Sequence, residues 1–121
     1  MNNKKTLVLG ASSNPARYSN MAIEALREKG HEVVAIGKRA GKVNDVDVDT
    51  EGREIPGLDT VTLYLNAQNQ MPYYDYIIAQ NPKRIIFNPG AENPQLATLA
   101  KEKGILTQNA CTLVMLSTGQ Y

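Results

Sequence analysis

The segment Leu7-Val8-Leu9-Gly10-Ala11-Ser12-Ser13-Asn14-Pro15 constrains this chain more than any other. A continuous apolar run meets a glycine, and small polar residues follow. From about Ser19, Met21, Ala22, Ala25 and Leu26 then recur at helical spacing until Gly30. An apolar run without alternation marks a parallel strand covered on both faces. The glycine permits a tight turn. The helix beyond it offers unpaired N–H groups and the positive end of its dipole, so the junction suits an anion such as a pyrophosphate. Residues 31–36 supply a second strand closed by Gly37. Strand, helix and strand joined by short turns make one βαβ unit with a right-handed crossover.

The rest of the chain continues the alternation. Residues 38–59 are the least regular, with Val46 and Val48 alternating with Asp45, Asp47 and Asp49, and they read as a short edge strand or hairpin with one wet face. Residues 60–65 form a β-branched strand. Residues 70–81 carry Met71, Tyr74, Ile77 and Ile78 at helical spacing, with Pro72 in the first turn. Residues 84–87 are a buried strand stopped by Asn88-Pro89-Gly90. Asn93-Pro94 opens a helix that turns Leu96, Ala97, Leu99 and Ala100 inward, residues 105–107 are the last strand, and residues 112–118 form a short helix covering the sheet. The expected architecture is α/β, a Rossmann-like, doubly wound, mostly parallel sheet flanked by helices, with residues 1–121 in one domain.

Composition narrows the function classes. A chain of 121 residues with net charge +1 has room for one core and no bias toward nucleic acid. The single cysteine, Cys111, excludes an intrachain disulfide and a thiolate metal site. No stretch approaches the roughly 20 apolar residues of a membrane span, and the first residues lack the apolar run of a signal peptide. A cytoplasmic protein without membrane or nucleic-acid partners is expected.

In a sheet wound in the usual Rossmann order, the strands at Leu7 and Val61 lie side by side and their connections leave in opposite directions, opening a crevice at their carboxyl ends. The loops at residues 10–19, 37–41 and 66–69 border it, with Asn66 at the third, and Asn88-Pro89-Gly90 lies one strand further along. In the first loop, Gly10 and Ala11 make the turn, Ser12, Ser13 and Asn14 add small hydrogen-bonding groups, and Arg17 adds a charge. Only Gly10 remains of the G-x-G-x-x-G fingerprint, which weakens a nicotinamide reading. After the second strand, where NAD enzymes place a carboxylate for the ribose, the chain has Gly37-Lys38-Arg39. Two cations there attract a ribose phosphate, which both NADP and coenzyme A (CoA) carry.

Gly10-Ala11-Ser12, Asn14-Pro15, Arg17-Tyr18-Ser19, Gly30-His31-Glu32-Val33, Asn88-Pro89-Gly90-Ala91-Glu92-Asn93, Gly104 and Cys111 together resemble the small single-domain CoA-binding proteins. These are similar to the N-terminal CoA-binding domain of the succinyl-CoA synthetase α subunit. The resemblance runs over nearly the whole chain. It implies that CoA or an acyl-CoA binds with its diphosphate at the Gly10 loop and its adenosine near the end of the second strand. Where the family often has an Asn-Pro pair after that strand, this chain has Gly37 and then the basic pair.

No catalytic constellation stands out. His31 starts a strand at the amino edge of the sheet, away from the crevice, and reads as a surface turn residue. Cys111 lies just past the last strand and reads as a small buried hydrophobe in preference to a thiol-exchange group. Asp45, Asp47 and Asp49 lack the glycine and terminal glutamate of a calcium loop. Tyr74 reads as core, with Tyr73 and Tyr76 at the rim. The expectation is a non-catalytic carrier, sensor or regulatory domain, with a protein partner or a second copy as further possibilities. The competing readings are an NADP-binding oxidoreductase-type domain and an interaction module that has lost its ligand.

Overall fold

A computed structural model describes residues 3–121. Seven strands form one sheet: β1 (Thr6–Leu9), β2 (Val33–Ile36), β3 (Gly41–Val43), β4 (Val46–Asp49), β5 (Thr60–Leu63), β6 (Arg84–Phe87) and β7 (Leu106–Asn109). Their spatial order is β3-β4-β2-β1-β5-β6-β7, with every neighbouring pair parallel except β3 and β4. The helices are α1 (Tyr18–Glu28), α2 (Ala67–Gln70), α3 (Tyr74–Ala79), α4 (Pro94–Glu102) and α5 (Thr112–Ser117), and a 3₁₀ turn at Met71–Tyr73 joins α2 to α3. The expected α/β Rossmann-like sheet is the observed one.

Alternation along the strands divides the core. Leu7, Leu9, Val34, Ile36, Val61, Leu63, Ile85 and Phe87 point to one face and pack with Ile77 of α3 and Leu96 and Ala100 of α4. Val8, Ala35 and Val48 point to the other, against Ile23 and Leu26 of α1 and Leu116 of α5. With both faces covered, each central strand buries all or nearly all of its side chains, which is why Leu7–Leu9 of β1 and Ile85–Phe87 of β6 read as unbroken apolar runs, while β5 buries Thr60 and Thr62 among its apolar residues. The irregular 38–59 region is the expected hairpin. Asn44, in the left-handed region at φ 56°, turns the chain between β3 and β4 in two residues, and the hairpin extends the sheet beyond β2.

Several sequence expectations need correction. The single helix over residues 70–81 is broken, because Pro72 has no N–H to donate and the chain tightens into the 3₁₀ turn before α3 starts. Met71, expected on the apolar face, is therefore 56% exposed. Leu99 lies on the rim of α4 at 37% exposed. The last strand runs further than residue 107, through polar Gln108 and Asn109, because it is an edge strand whose flanks stay partly wet. His31 is not a surface residue but only 8% exposed. Among the described residues, no helix is long and apolar enough to cross a membrane.

Candidate functional site

The crevice is built where three parallel strands end. β1 is flanked by β2 and β5, and the loops leaving these strands are stitched by main-chain bonds. Gly10 and Ala11 both donate to the Ile36 carbonyl at 2.9 Å, and Tyr64 donates to the Leu9 carbonyl at 2.9 Å. Gly10 lies at φ +93°, and a Cβ there would stand 2.9 Å from the Tyr64 carbonyl. Gly37 is tighter still, since a Cβ would sit 2.1 Å from the Ala11 carbonyl oxygen. A Cβ on Gly41 would stand 2.9 Å from that of Ser13. The first loop is thus clamped between β5 on one side and the β2–β3 connection on the other.

The loop's polar residues preset its shape. Ser12 Oγ accepts from the Asn14 N–H at 3.1 Å, Asn14 Oδ1 accepts from the Ala16 N–H at 3.0 Å, and Asn20 Nδ2 donates to the Ser12 carbonyl at 3.0 Å. Arg17 takes the N-cap position of α1 but makes no side-chain cap. The leading N–H groups of the helix, from Tyr18 and Ser19, therefore have no capping side chain to accept from them. Ser13, Asn14, Arg17 and Tyr18 are exposed at the crevice mouth, whereas Ser19 is buried.

Lys38 and Arg39 follow Gly37 directly and are exposed. Among the described residues neither is in an ion pair, whereas Asp49, at the end of neighbouring β4, is paired with Arg53 Nε at 3.8 Å. The cations next to the clamped loop are thus free for an anion. Asn66 caps α2, its side chain accepting from the Asn69 N–H at 2.9 Å.

Asn88, Pro89 and Gly90 form the far wall. Asn88 is buried, and its amide is committed internally. It donates to Thr62 Oγ1 at 2.7 Å and the Leu63 carbonyl at 2.9 Å, and accepts from the Thr112 N–H at 2.9 Å. Thr62 and Thr112 join by their hydroxyls at 2.8 Å. Pro89 and Gly90 stay exposed, with the Gly90 N–H held by Glu92 Oε1 at 2.9 Å. Sequence reasoning missed the residues behind this wall. Gln70, fully buried, donates to the Leu65 and Ala91 carbonyls at 2.8 and 2.7 Å and accepts from Asn93 Nδ2 at 2.8 Å. Asn93 also donates to Tyr74 Oη at 2.8 Å while capping α4. The network ties the Asn66 loop to the Pro89-Gly90 loop. Gln70 stands in the polar run Asn66-Ala67-Gln68-Asn69-Gln70, where nothing local sets it apart from its neighbours.

The remaining candidates are structural. The hydroxyl of Tyr64 is enclosed without a hydrogen-bond partner, and burial pushes its pKa up. Cys111 is half-buried at the start of α5. Tyr76 is tied to Arg53 through its hydroxyl, and Tyr74 packs against the core. Among the described residues, no group of three or more His, Cys, Asp or Glu side chains could hold a metal ion.

The family model described as "CoA binding domain" matches residues 4–117, nearly the whole chain. The chain belongs to the CoA-binding domain family. A solved structure described as an uncharacterized protein shares 46% identity, with a TM-score of 0.96 and complete coverage of both chains. A hypothetical protein from Pyrococcus horikoshii OT3 is 24% identical with a TM-score of 0.85, covering 96% of this chain and 83% of its own. A Thermus thermophilus protein at 19% identity has a TM-score of 0.83, covering 98% and 91%. The latter two likenesses speak for the fold. No curated protein matches the chain.

Proposed function

We propose that residues 1–121 act as one unit that binds CoA or an acyl-CoA in the crevice at the ends of β1, β2 and β5. In this reading the protein is a cytoplasmic carrier, sensor or regulatory domain without chemistry of its own. The diphosphate lies against Gly10, Ala11, Ser12 and Ser13, at the uncapped start of α1, with Asn14, Arg17, Tyr18 and Ser19 around it. The adenosine lies toward Gly37, and its 3′-phosphate meets Lys38 and Arg39. Asn66 and the Asn88-Pro89-Gly90 turn border the pantetheine side, with Asn88 shaping the wall through its internal bonds. The residues fit such a ligand. They offer main-chain donors and a helix dipole for one anion, then two free cations a short distance along the chain for a second.

The observation that carries the reading is the placement of those cations. Gly37 closes on the Ala11 carbonyl, so Lys38 and Arg39 emerge beside the loop that suits a diphosphate, and among the described residues no carboxylate pairs with them. NADP would use the same pair, and for that reason it is the second reading.

Native mass spectrometry of the purified protein identifies a retained ligand by its mass, and thermal-shift titration ranks the candidates. A ligand at 100 times its dissociation constant stabilises by about 2.7 kcal/mol, or several degrees for a domain of this size. CoA should produce that shift and NAD none. A shift with NADP and none with CoA at matched concentration would transfer the site to the second reading.

A further inference from the structure

The two edges of the sheet are defended differently. At one edge β3 carries Lys42, paired across the hairpin with Asp47 at 4.0 Å, and Asp45 and Asp49 follow on the same hairpin. Charges of this kind discourage pairing with another strand. The other edge is β7, which has a partner on one side only. From Gly104 to Tyr121 the sequence holds no Asp, Glu, Lys, Arg or His. Leu106 on the strand and Val114 on α5 are each 57% exposed. Polar Thr107, Gln108 and Asn109 complete the strand, without a proline or a charge to block its edge.

Main-chain direction determines what that edge offers. The Leu106 N–H donates to the Lys83 carbonyl and the Ala110 N–H to the Phe87 carbonyl, so the even-numbered residues of this segment turn toward β6. Strand pleating then turns the N–H and C=O groups of Thr107 and Asn109 outward. Two outward residues separated by one inward residue are the unit of an antiparallel two-fold pairing.

We infer that two copies of this chain associate through β7, antiparallel about a two-fold axis at Gln108, joining their sheets into one. Thr107 of each copy exchanges both main-chain bonds with Asn109 of the other, giving four hydrogen bonds. Gln108 faces Gln108 of the other copy as a non-hydrogen-bonded pair, and Leu106 lies across from Ala110 of the other copy. The occupant is a second copy because the strand itself carries no charge, and the nearest cation, Arg84, whose Nη1 lies 3.4 Å from Gln108 Oε1, is engaged within its own copy by the Tyr121 main-chain oxygen and ring. A two-fold sets the strand against itself with no like charges of the strand opposed, whereas a charged segment of another protein would find no complement on it. This association is independent of the ligand reading, since β7 lies at the opposite side of β6 from the crevice strands.

The test is sedimentation velocity on the full chain, with disulfide trapping to fix the register. The wild type should sediment as a dimer of 13.3 kDa protomers at micromolar concentration. Thr107→Pro removes an outward N–H while leaving the donors that face β6, and should weaken association at least tenfold. Asn109→Lys places a charge at each of the two hydrogen-bonded pairs and should do the same with the melting temperature maintained, which keeps the test open if the proline variant folds poorly. Gln108→Cys in a Cys111→Ser background should link into a covalent dimer with oxidised glutathione, whereas Lys42→Cys on the opposite edge in the same background should not. A wild type that remains monomeric, leaving the edge to some other strand, overturns the inference. So does a dimer that Asn109→Lys leaves intact and Gln108→Cys fails to trap.

Discussion

The two ends of the parallel strands treat cations in opposite ways. At the amino end, Lys4 Nζ donates to the Tyr121 main-chain oxygen at 2.6 Å, and Arg84 Nη1 reaches the same oxygen at 3.0 Å. The Arg84 guanidinium lies 4.5 Å from the Tyr121 ring centre and donates through Nε to Thr60 at 3.1 Å. The His31 ring is 5.0 Å from the Tyr121 ring, and its Nδ1 accepts from the Lys4 N–H at 2.9 Å. At the carboxyl end, Arg17, Lys38 and Arg39 are exposed and take no part in ion pairs among the described residues. Cations at the amino end hold the fold together. The side chains of those at the carboxyl end are left free for the ligand proposed above.

The contrast predicts different kinds of damage at the two ends. Gly37→Ala should be the most harmful change, because its Cβ falls on the Ala11 carbonyl and the backbone must move to admit it. A loss of about 3 kcal/mol is expected from overpacking, and any protein that folds should bind CoA at least tenfold more weakly. Chemical denaturation and calorimetry check both parts. A Gly37→Ala protein of wild-type stability and affinity would mean that the clamp between the two loops is not needed.

Tyr121→Ala at the other end should cost about 2 kcal/mol through lost burial and cation–π contact, with CoA affinity unchanged. Urea unfolding beside a CoA titration separates the two effects. A matching loss of affinity would break the distinction between the ends.

The smallest stability effect is a pH dependence. Burial, with Lys4 and Arg84 nearby, pushes the His31 pKa down from its ordinary value near 6.5. Between that lowered value and 6.5 the unfolded chain binds the extra proton and the folded protein does not. The stability His31 contributes is therefore fully present above about pH 6.5 and is lost as the pH falls through this window. Asp45, held below its ordinary range by Arg27, acts only at lower pH. His31→Gln should flatten the dependence of the unfolding midpoint on pH just below about 6.5. An unchanged slope would assign it to another group.

What could be read from the sequence follows the same division. The Gly10 turn, the β1–α1–β2 unit and the Asn93-Pro94 helix start were legible because each rests on local rules: a glycine at positive φ, a continuous apolar run, an asparagine cap before proline. The crevice followed from topology once the strands were placed. The amino-end cluster was not legible, because His31, Arg84 and Tyr121 are far apart in sequence and each alone looks like a surface residue. The Gln70–Asn93 network was hidden for the same reason. Leu99 and Met71 misled because periodicity gives the side of a helix and not how far its neighbours extend, and in the second case Pro72 broke the period itself.

The most direct test of the central claim is calorimetric titration of CoA and dephospho-CoA against wild type and the Lys38→Ala/Arg39→Ala double variant. The ligands differ only in the 3′-phosphate that is proposed to meet the basic pair. Wild type should prefer CoA, and the double variant should lose about tenfold in affinity for CoA, in line with a charge-assisted contact at an open site. Its affinity for dephospho-CoA should hardly change. Equal losses for the two ligands would contradict the account, because the pair would then serve the diphosphate or the loop, and the adenosine would lie elsewhere.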